Sequence, residues 1–170
     1  SERADQIAKR YEKSNIELNN DELVINARLI LLHTLAHLII RELETSSGYP
    51  AASIRERIYS RKSDKMLGVL IYTSVPDVIG SLGGLVENSE PIGLLKLLIN
   101  VFNNANWCSL DPVCSENDHG GLNRASCHAC AFLPETSCML SNQLLDRVFI
   151  KGNEEIPSLL EFVEMENRNG

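Results

Sequence analysis

WCSLDPVCSENDHGGLNRASCHACAFLPETSC, residues 107–138, is the stretch that decides how this chain folds. It holds all five cysteines and two of the four histidines of the 170-residue sequence, with few aliphatic side chains. A segment this poor in apolar groups cannot be ordered by a hydrophobic core, so it needs a cross-link. The spacing Cys108-x5-Cys114-x12-Cys127-x2-Cys130-x7-Cys138 offers one, because the Cys127-His128-Ala129-Cys130 step is the tight knuckle that sets two thiolates on one metal ion.

Four thiolates close a tetrahedral shell around a borderline-soft ion, which makes Zn2+ the expected cofactor; an iron-sulfur cluster uses the same ligand type and is the rival. Five cysteines compete for four positions. The reading takes Cys114, Cys127, Cys130 and Cys138 as the metal ligands, and Cys108, directly after Trp107, as a buried free thiol. His119 and His128 are the residues able to replace a cysteine.

Outward from this segment, residues 21–45 read as a long helix, introduced by the capping run Asn19-Asn20-Asp21-Glu22 and ended by Gly48-Tyr49-Pro50. It is apolar nearly all round except for the stripe His33, His37, Arg41, Glu44, which must face something polar. Residues 2–18 form a marginal amphipathic helix. Residues 51–60 are a short helix or an edge strand, with Ile54 to Tyr59 able to pair with a buried strand over 66–73. Gly80, Gly83 and Gly84 permit tight turns or close approach of a partner. Pro91 to Trp107 is a second amphipathic helix, Leu140 to Val148 a closing one, and the acidic tail from about 152 is only partly ordered. The fold class expected is α+β: a mainly helical single domain with a short β element and a cysteine-rich zinc knuckle. Its parts are a flanking helix (1–20), the zinc-binding domain (21–150) and the tail (151–170).

The net charge of −7 repels phosphate polyanions, so contact with nucleic acid has to be local. Arg55, Arg57, Arg61 and Lys62, with Lys65, are the candidate nucleic-acid-binding residues; a solvated face beside a turn is the plainer reading of the same patch. The low aromatic share, 5%, argues against a base-stacking platform. The first residues, Ser-Glu-Arg-Ala-Asp, carry no secretion signal, so a reducing, cytoplasmic setting is expected, where clustered cysteines hold metal rather than disulfides. Leu23 to Leu43 is interrupted by Asn26, Arg28, His33, His37 and Arg41 and does not read as a membrane span.

No catalytic engine is visible. A closed thiolate shell leaves no position for water, and the deaminase pattern fails because Ser126 precedes Cys127 and Glu135 lies beyond the knuckle. His33-Thr34-Leu35-Ala36-His37 has the two-histidine spacing of zinc metalloproteases without the glutamate that follows the first histidine. Buried histidines bonded to carbonyls or carboxylates are the plainer reading, and a second metal site on this pair needs carboxylates arriving from elsewhere in the chain. A non-enzyme is expected, with a metal-dependent enzyme using His33 and His37 as the lesser alternative.

Together His33 to His37, Arg41-Glu-Leu-Glu44, Gly48-Tyr-Pro-Ala-Ala-Ser53, Ile71-Tyr72, Gly83-Gly84, Trp107-Cys108, Cys127-His-Ala-Cys130, Pro134-Glu-Thr-Ser-Cys138 and Leu145-Asp146-Arg147 resemble the zinc-binding domain associated with MrfA-type helicases. Within the family the likeness extends to a component of the DISARM anti-phage system. The resemblance covers about residues 28–148 and is most specific from Cys127 to Arg147. It implies a cysteine-ligated zinc with Cys127, Cys130 and Cys138 as the securest ligands. It also implies a place beside a superfamily 2 DNA helicase or another defence-complex subunit, and a role in DNA handling. The function expected is a non-catalytic zinc-binding module supporting a DNA helicase or nuclease complex in anti-phage defence or repair, the alternative being an autonomous nucleic-acid-binding zinc protein.

Overall fold

The computed structural model describes residues 1–14, 23–61, 66–73, 81–116 and 121–169. Its centre is α2 (Ala27–Ser47), which packs against α1 (Glu2–Lys13), a β-hairpin, and the later helices over Pro91–Ala105 and Val148–Lys151. The helix opens at Asn26, whose side chain accepts from the Leu29 amide at 3.0 Å, several residues beyond the expected start. The capping run at 19–22 lies outside the described residues. The helix closes on Gly48 at φ 70°, a left-handed conformation that costs a glycine nothing. Leu29, Ile30, Ile40 and Leu43 are buried, and so are His33 and His37.

Before α2, Ser1 caps α1, and Ala4 and Ile7 join a core with Leu29, Ile30, Ile58, Leu140 and Leu144. The amphipathic pattern of the first residues therefore packs against the same core as the rest. After α2, a 3-10 turn (Ala51–Ser53) leads into β1 (Ile54–Tyr59), paired antiparallel with β2 (Gly68–Thr73) in the register Ile54↔Thr73, Ile58↔Val69. The hairpin is as expected, but β2 is not a buried strand. Leu70 and Tyr72 are exposed, because α2 covers only one face of this two-stranded ribbon. β1 alternates accordingly: Ile54, Glu56 and Ile58 point inward, Arg55 and Arg57 outward.

Gly83 and Gly84 sit within α3 (Ser81–Ser89) rather than in a turn. Gly84 is there because of Tyr49, whose hydroxyl would meet a Cβ at 3.1 Å and accepts from the Leu85 amide at 2.9 Å. Pro91 opens α4 (Pro91–Ala105) as expected. Asn100 and Asn104 of α4 each donate to the buried Glu42 carboxylate at 2.9 Å, fixing α4 on α2.

The expected closing helix does not form over Leu140–Arg147. Ser141, Asn142 and Leu144 are left-handed, at φ 50°, 58° and 63°, so the chain winds through a compact loop before the single turn of α5 (Val148–Lys151). Asn142 sustains that loop, its side chain accepting from the Leu133 amide at 2.9 Å and donating to the Leu133 carbonyl at 2.8 Å. The acidic tail carries α6 (Leu159–Asn169), capped by Ser158, which exchanges hydrogen bonds with Glu161. Among the described residues no helix is long and apolar enough to cross a membrane.

Candidate metal centre

Cys127 and Cys130 face each other across one tight turn, in which the Cys127 carbonyl accepts from the amides of Cys130 and Ala131 at 3.2 and 2.9 Å. The chain leaving α4 then folds back on this turn through residues 109–116. That return is held by the Cys114 amide donating to Leu110 at 2.9 Å and by the Cys108 amide donating to Asp111 Oδ2 at 2.9 Å. Four sulfurs converge as a result. Cys108 Sγ lies 3.6 Å from Cys127 Sγ, Cys114 Sγ 3.7 Å from Cys130 Sγ, and Cys127 Sγ 3.7 Å from Cys130 Sγ, all four cysteines being free. Zinc–sulfur bonds of about 2.3 Å give a tetrahedron with edges of about 3.8 Å, so the spacing fits a four-thiolate metal site.

The set differs from the expected one. Cys114, Cys127 and Cys130 come together, but their fourth companion is Cys108, and Cys138 lies elsewhere. The reason is the path of the chain. Beyond the knuckle it runs away along α2, Ser137 Oγ donating to the Ala51 carbonyl at 2.7 Å, and delivers Cys138 to the inner face of β1 beside His33, His37 and Glu56. Trp107 does end an amphipathic segment, yet the turn after it aims Cys108 into the cluster instead of the core. His128 is exposed, edge-on to Phe132 at 4.8 Å between ring centroids, and takes no part. His119 lies outside the described residues.

Arg147, fully buried, supports the cluster from behind. Its guanidinium donates to the carbonyls of Ala105 and Ala125, pairs with Asp111 at 3.1 Å and reaches Cys114 Sγ at 3.6 Å. A permanent positive charge here offsets part of the charge that four thiolates would bring. Burial pushes the Cys114 thiol up to about 11 and raises Cys130 as well, while Arg147 pulls both back. Burial also opposes ionisation of Cys127, but the Ala129 backbone and the neighbouring thiols hold it below the ordinary range.

The polar stripe on α2 faces this knuckle. Arg41 donates to the carbonyls of Ala129 at 3.0 Å and Phe132 at 3.1 Å, and His37 Nδ1 donates to that of Ala131 at 2.8 Å; Glu44, one turn further, is exposed. Of the basic patch, Arg55 and Arg57 project from the outer face of β1, Arg57 lying 5.7 Å from the Tyr59 ring centre. Arg61 is half-buried, and Lys62 and Lys65 lie outside the described residues.

Glu56 is the neighbour that sequence reasoning missed. Its signal was present: in Ile54-Arg55-Glu56-Arg57-Ile58 it occupies an inward register between two buried isoleucines, where a carboxylate needs a partner.

Residues 35–131, more than half of the chain, match the family described as the MrfA Zn-binding domain, a span that contains all four clustered cysteines and excludes His33 and Cys138. The chain is also 45% identical over 121 residues, 69% of its length, to the DISARM protein DrmB of Bacillus paralicheniformis, and spans about a fifth (21%) of that relative. This chain belongs to the MrfA Zn-binding domain family.

Proposed function

We propose that the chain is a non-catalytic zinc-binding module that supports a DNA helicase or nuclease complex in bacterial anti-phage defence. The observation that carries the reading is the sulfur cluster of Cys108, Cys114, Cys127 and Cys130, whose spacing fits one Zn2+ with no coordination position left for water. Bound there, zinc supplies the cross-link that this aliphatic-poor segment needs. Cys108 and Cys114 hold the return from α4, Cys127 and Cys130 hold the knuckle, and Arg41 and His37 carry that rigidity to α2.

Relationship to DrmB, a DISARM protein, supports the defence setting. An interaction role is supported by the outer faces of α3 and α4, where Val86, Ile92, Leu95 and Ile99 stand exposed. Apolar surface of this kind is what a neighbouring subunit, or the remainder of a longer chain, covers. Against use of the His33/His37 pair as an active site stands its complete burial, which gives a substrate no approach. One observation favours a second reading, autonomous DNA binding: the outward projection of Arg55 and Arg57 from β1.

Metal analysis and thermal unfolding with and without chelator test the zinc. Co-purification of the chain with a DNA helicase from a bacterial lysate tests the partnership. Zinc bound at Cys108, Cys114, Cys127 and Cys130 with retention of a helicase supports the proposal. Absence of metal from those cysteines, or unfolding indifferent to chelator, overturns the zinc; tight DNA binding by the isolated chain with no helicase retained favours the second reading.

A further inference from the structure

The second convergence of ligand-type side chains lies in the core. His33, His37, Glu56 and Cys138 bring their ligating atoms within 4.8 Å of one another, and all four side chains are buried. His33 Nε2 stands 3.1 Å from Glu56 Oε1 and 3.2 Å from Cys138 Sγ, and His37 Nε2 stands 3.4 Å from the same Glu56 oxygen. Tetrahedral coordination sets nitrogen and oxygen ligands at about 2.0–2.1 Å about 3.4 Å apart, close to the two histidine–carboxylate separations, and a thiolate at about 2.3 Å about 3.6 Å from nitrogen, so that His33 and Cys138 move apart slightly on binding.

Hydrogen bonding around the group turns its ligating atoms toward one another. His37 Nδ1 faces the Ala131 carbonyl at 2.8 Å, and a carbonyl only accepts, so the proton of a neutral ring sits on Nδ1 and the Nε2 lone pair points at Glu56. A lone pair facing a carboxylate at that distance is repulsive unless a positive charge lies between them. His37 Nε2 and Glu56 Oε2 have no hydrogen-bond partner, and burial denies them water. Cys138 Sγ accepts from the amides of Asn142 at 3.1 Å and Leu140 at 3.3 Å, donors that favour a thiolate. Orientation of a ligating histidine by its second nitrogen on a backbone carbonyl is the usual outer support of such sites.

We propose that His33, His37, Glu56 and Cys138 bind a second divalent zinc ion, structural and separate from the four-cysteine site. On binding, the Cys138 thiol passes its proton to solvent. One carboxylate, one thiolate and two neutral imidazoles then balance the double charge, leaving a neutral centre in the core. The ion ties α2 to β1 and to the loop after the knuckle, three elements far apart in sequence.

Zinc content of the purified chain tests this, measured for the wild type, for Cys138→Ser, for Glu56→Gln and for the double variant Cys108→Ser/Cys127→Ser. The proposal expects two ions in the wild type and one in each of the three variants, with chelator removing them in two phases. One ion in the wild type that survives both Cys138→Ser and Glu56→Gln overturns it. A single ion lost in Cys138→Ser but kept in the cysteine double variant upholds it and instead removes the zinc from the four-cysteine site. Should the variants fail to fold, cobalt titration of the metal-free wild type decides. Two successive equivalents, only one with the strong sulfur charge-transfer bands of an all-thiolate site, uphold the proposal, and saturation at one all-thiolate equivalent overturns it.

Discussion

His37 Nδ1 donates to the carbonyl of Ala131 at 2.8 Å, so the residue that follows the last knuckle cysteine is fastened to the middle of α2. Both partners lie in the interior, and the bond joins residues 94 positions apart. Replacing His37 by Leu leaves that carbonyl without its partner. The expected loss is at least about 1–3 kcal/mol of stability, the cost of the orphaned carbonyl alone, read by denaturant unfolding, with the ion of the four-cysteine cluster retained because its ligands are untouched and the ion of the His33–Glu56–Cys138 group weakened or lost. An unchanged unfolding midpoint would show that the knuckle does not depend on this contact.

Arg147 ties α4, the return at Asp111 and the strand of chain before the knuckle into one polar centre. Arg147→Met is expected to destabilise by about 2–4 kcal/mol, somewhat below the full cost of breaking a buried pair because Asp111 keeps some solvent. Arg147→Lys should recover little of it, since an ammonium cannot reach two carbonyls, a carboxylate and a sulfur at once. Equal stability of the lysine variant and the wild type contradicts this.

Metal binding should release protons. Burial holds the Cys114 thiol up to about 11 and raises Cys130, so in the metal-free chain both are protonated at neutral pH and zinc must displace those protons. The bound state is then favoured as pH rises and lost as it falls, roughly tenfold in affinity per pH unit for each proton released. Calorimetry in buffers of different ionisation heat should report net release of more than one proton per ion. Zero release would mean that the thiols are already ionised.

The outer face of β1 should be energetically quiet. Arg55→Gln with Arg57→Gln is expected to alter stability by less than about 0.5 kcal/mol, because both side chains project into solvent opposite the inward row of Ile54, Glu56 and Ile58. Any fall in DNA affinity and its salt dependence in this variant is then a surface effect. If the variant unfolds much more easily, the arginines have a structural duty that their exposure does not suggest.

Much of this architecture is legible in the residues themselves. The spacing of Ile92, Leu95, Leu98 and Phe102 gives α4, Gly48 ends α2, and the short runs around 54–59 and 68–73 give the hairpin, because each pattern is local. The metal-site partition was not legible. Cys138 lies nearer the knuckle in sequence, 8 residues beyond Cys130 against 19 from Cys108 to Cys127, and what reverses that order is the backward turn at 109–116 against the outward run of 131–138, both fixed by long-range contacts such as Arg147 with Asp111 and Ser137 with Ala51. The loop at 140–147 defeated its helical spacing for a similar reason, since Asn142 exchanges two hydrogen bonds with Leu133 and holds a left-handed backbone. His33 and His37 announced a polar neighbour, but only strand register, with Glu56 in the inward row, says which one.

The account rests on which four sulfurs share the knuckle ion, and the most direct measurement is zinc-edge X-ray absorption of the Cys138→Ser chain. A shell of four sulfurs at about 2.3 Å is the expected result, because Cys108, Cys114, Cys127 and Cys130 all remain. Loss of a sulfur from that shell, or of the ion itself, would return Cys138 to the knuckle site and contradict the account.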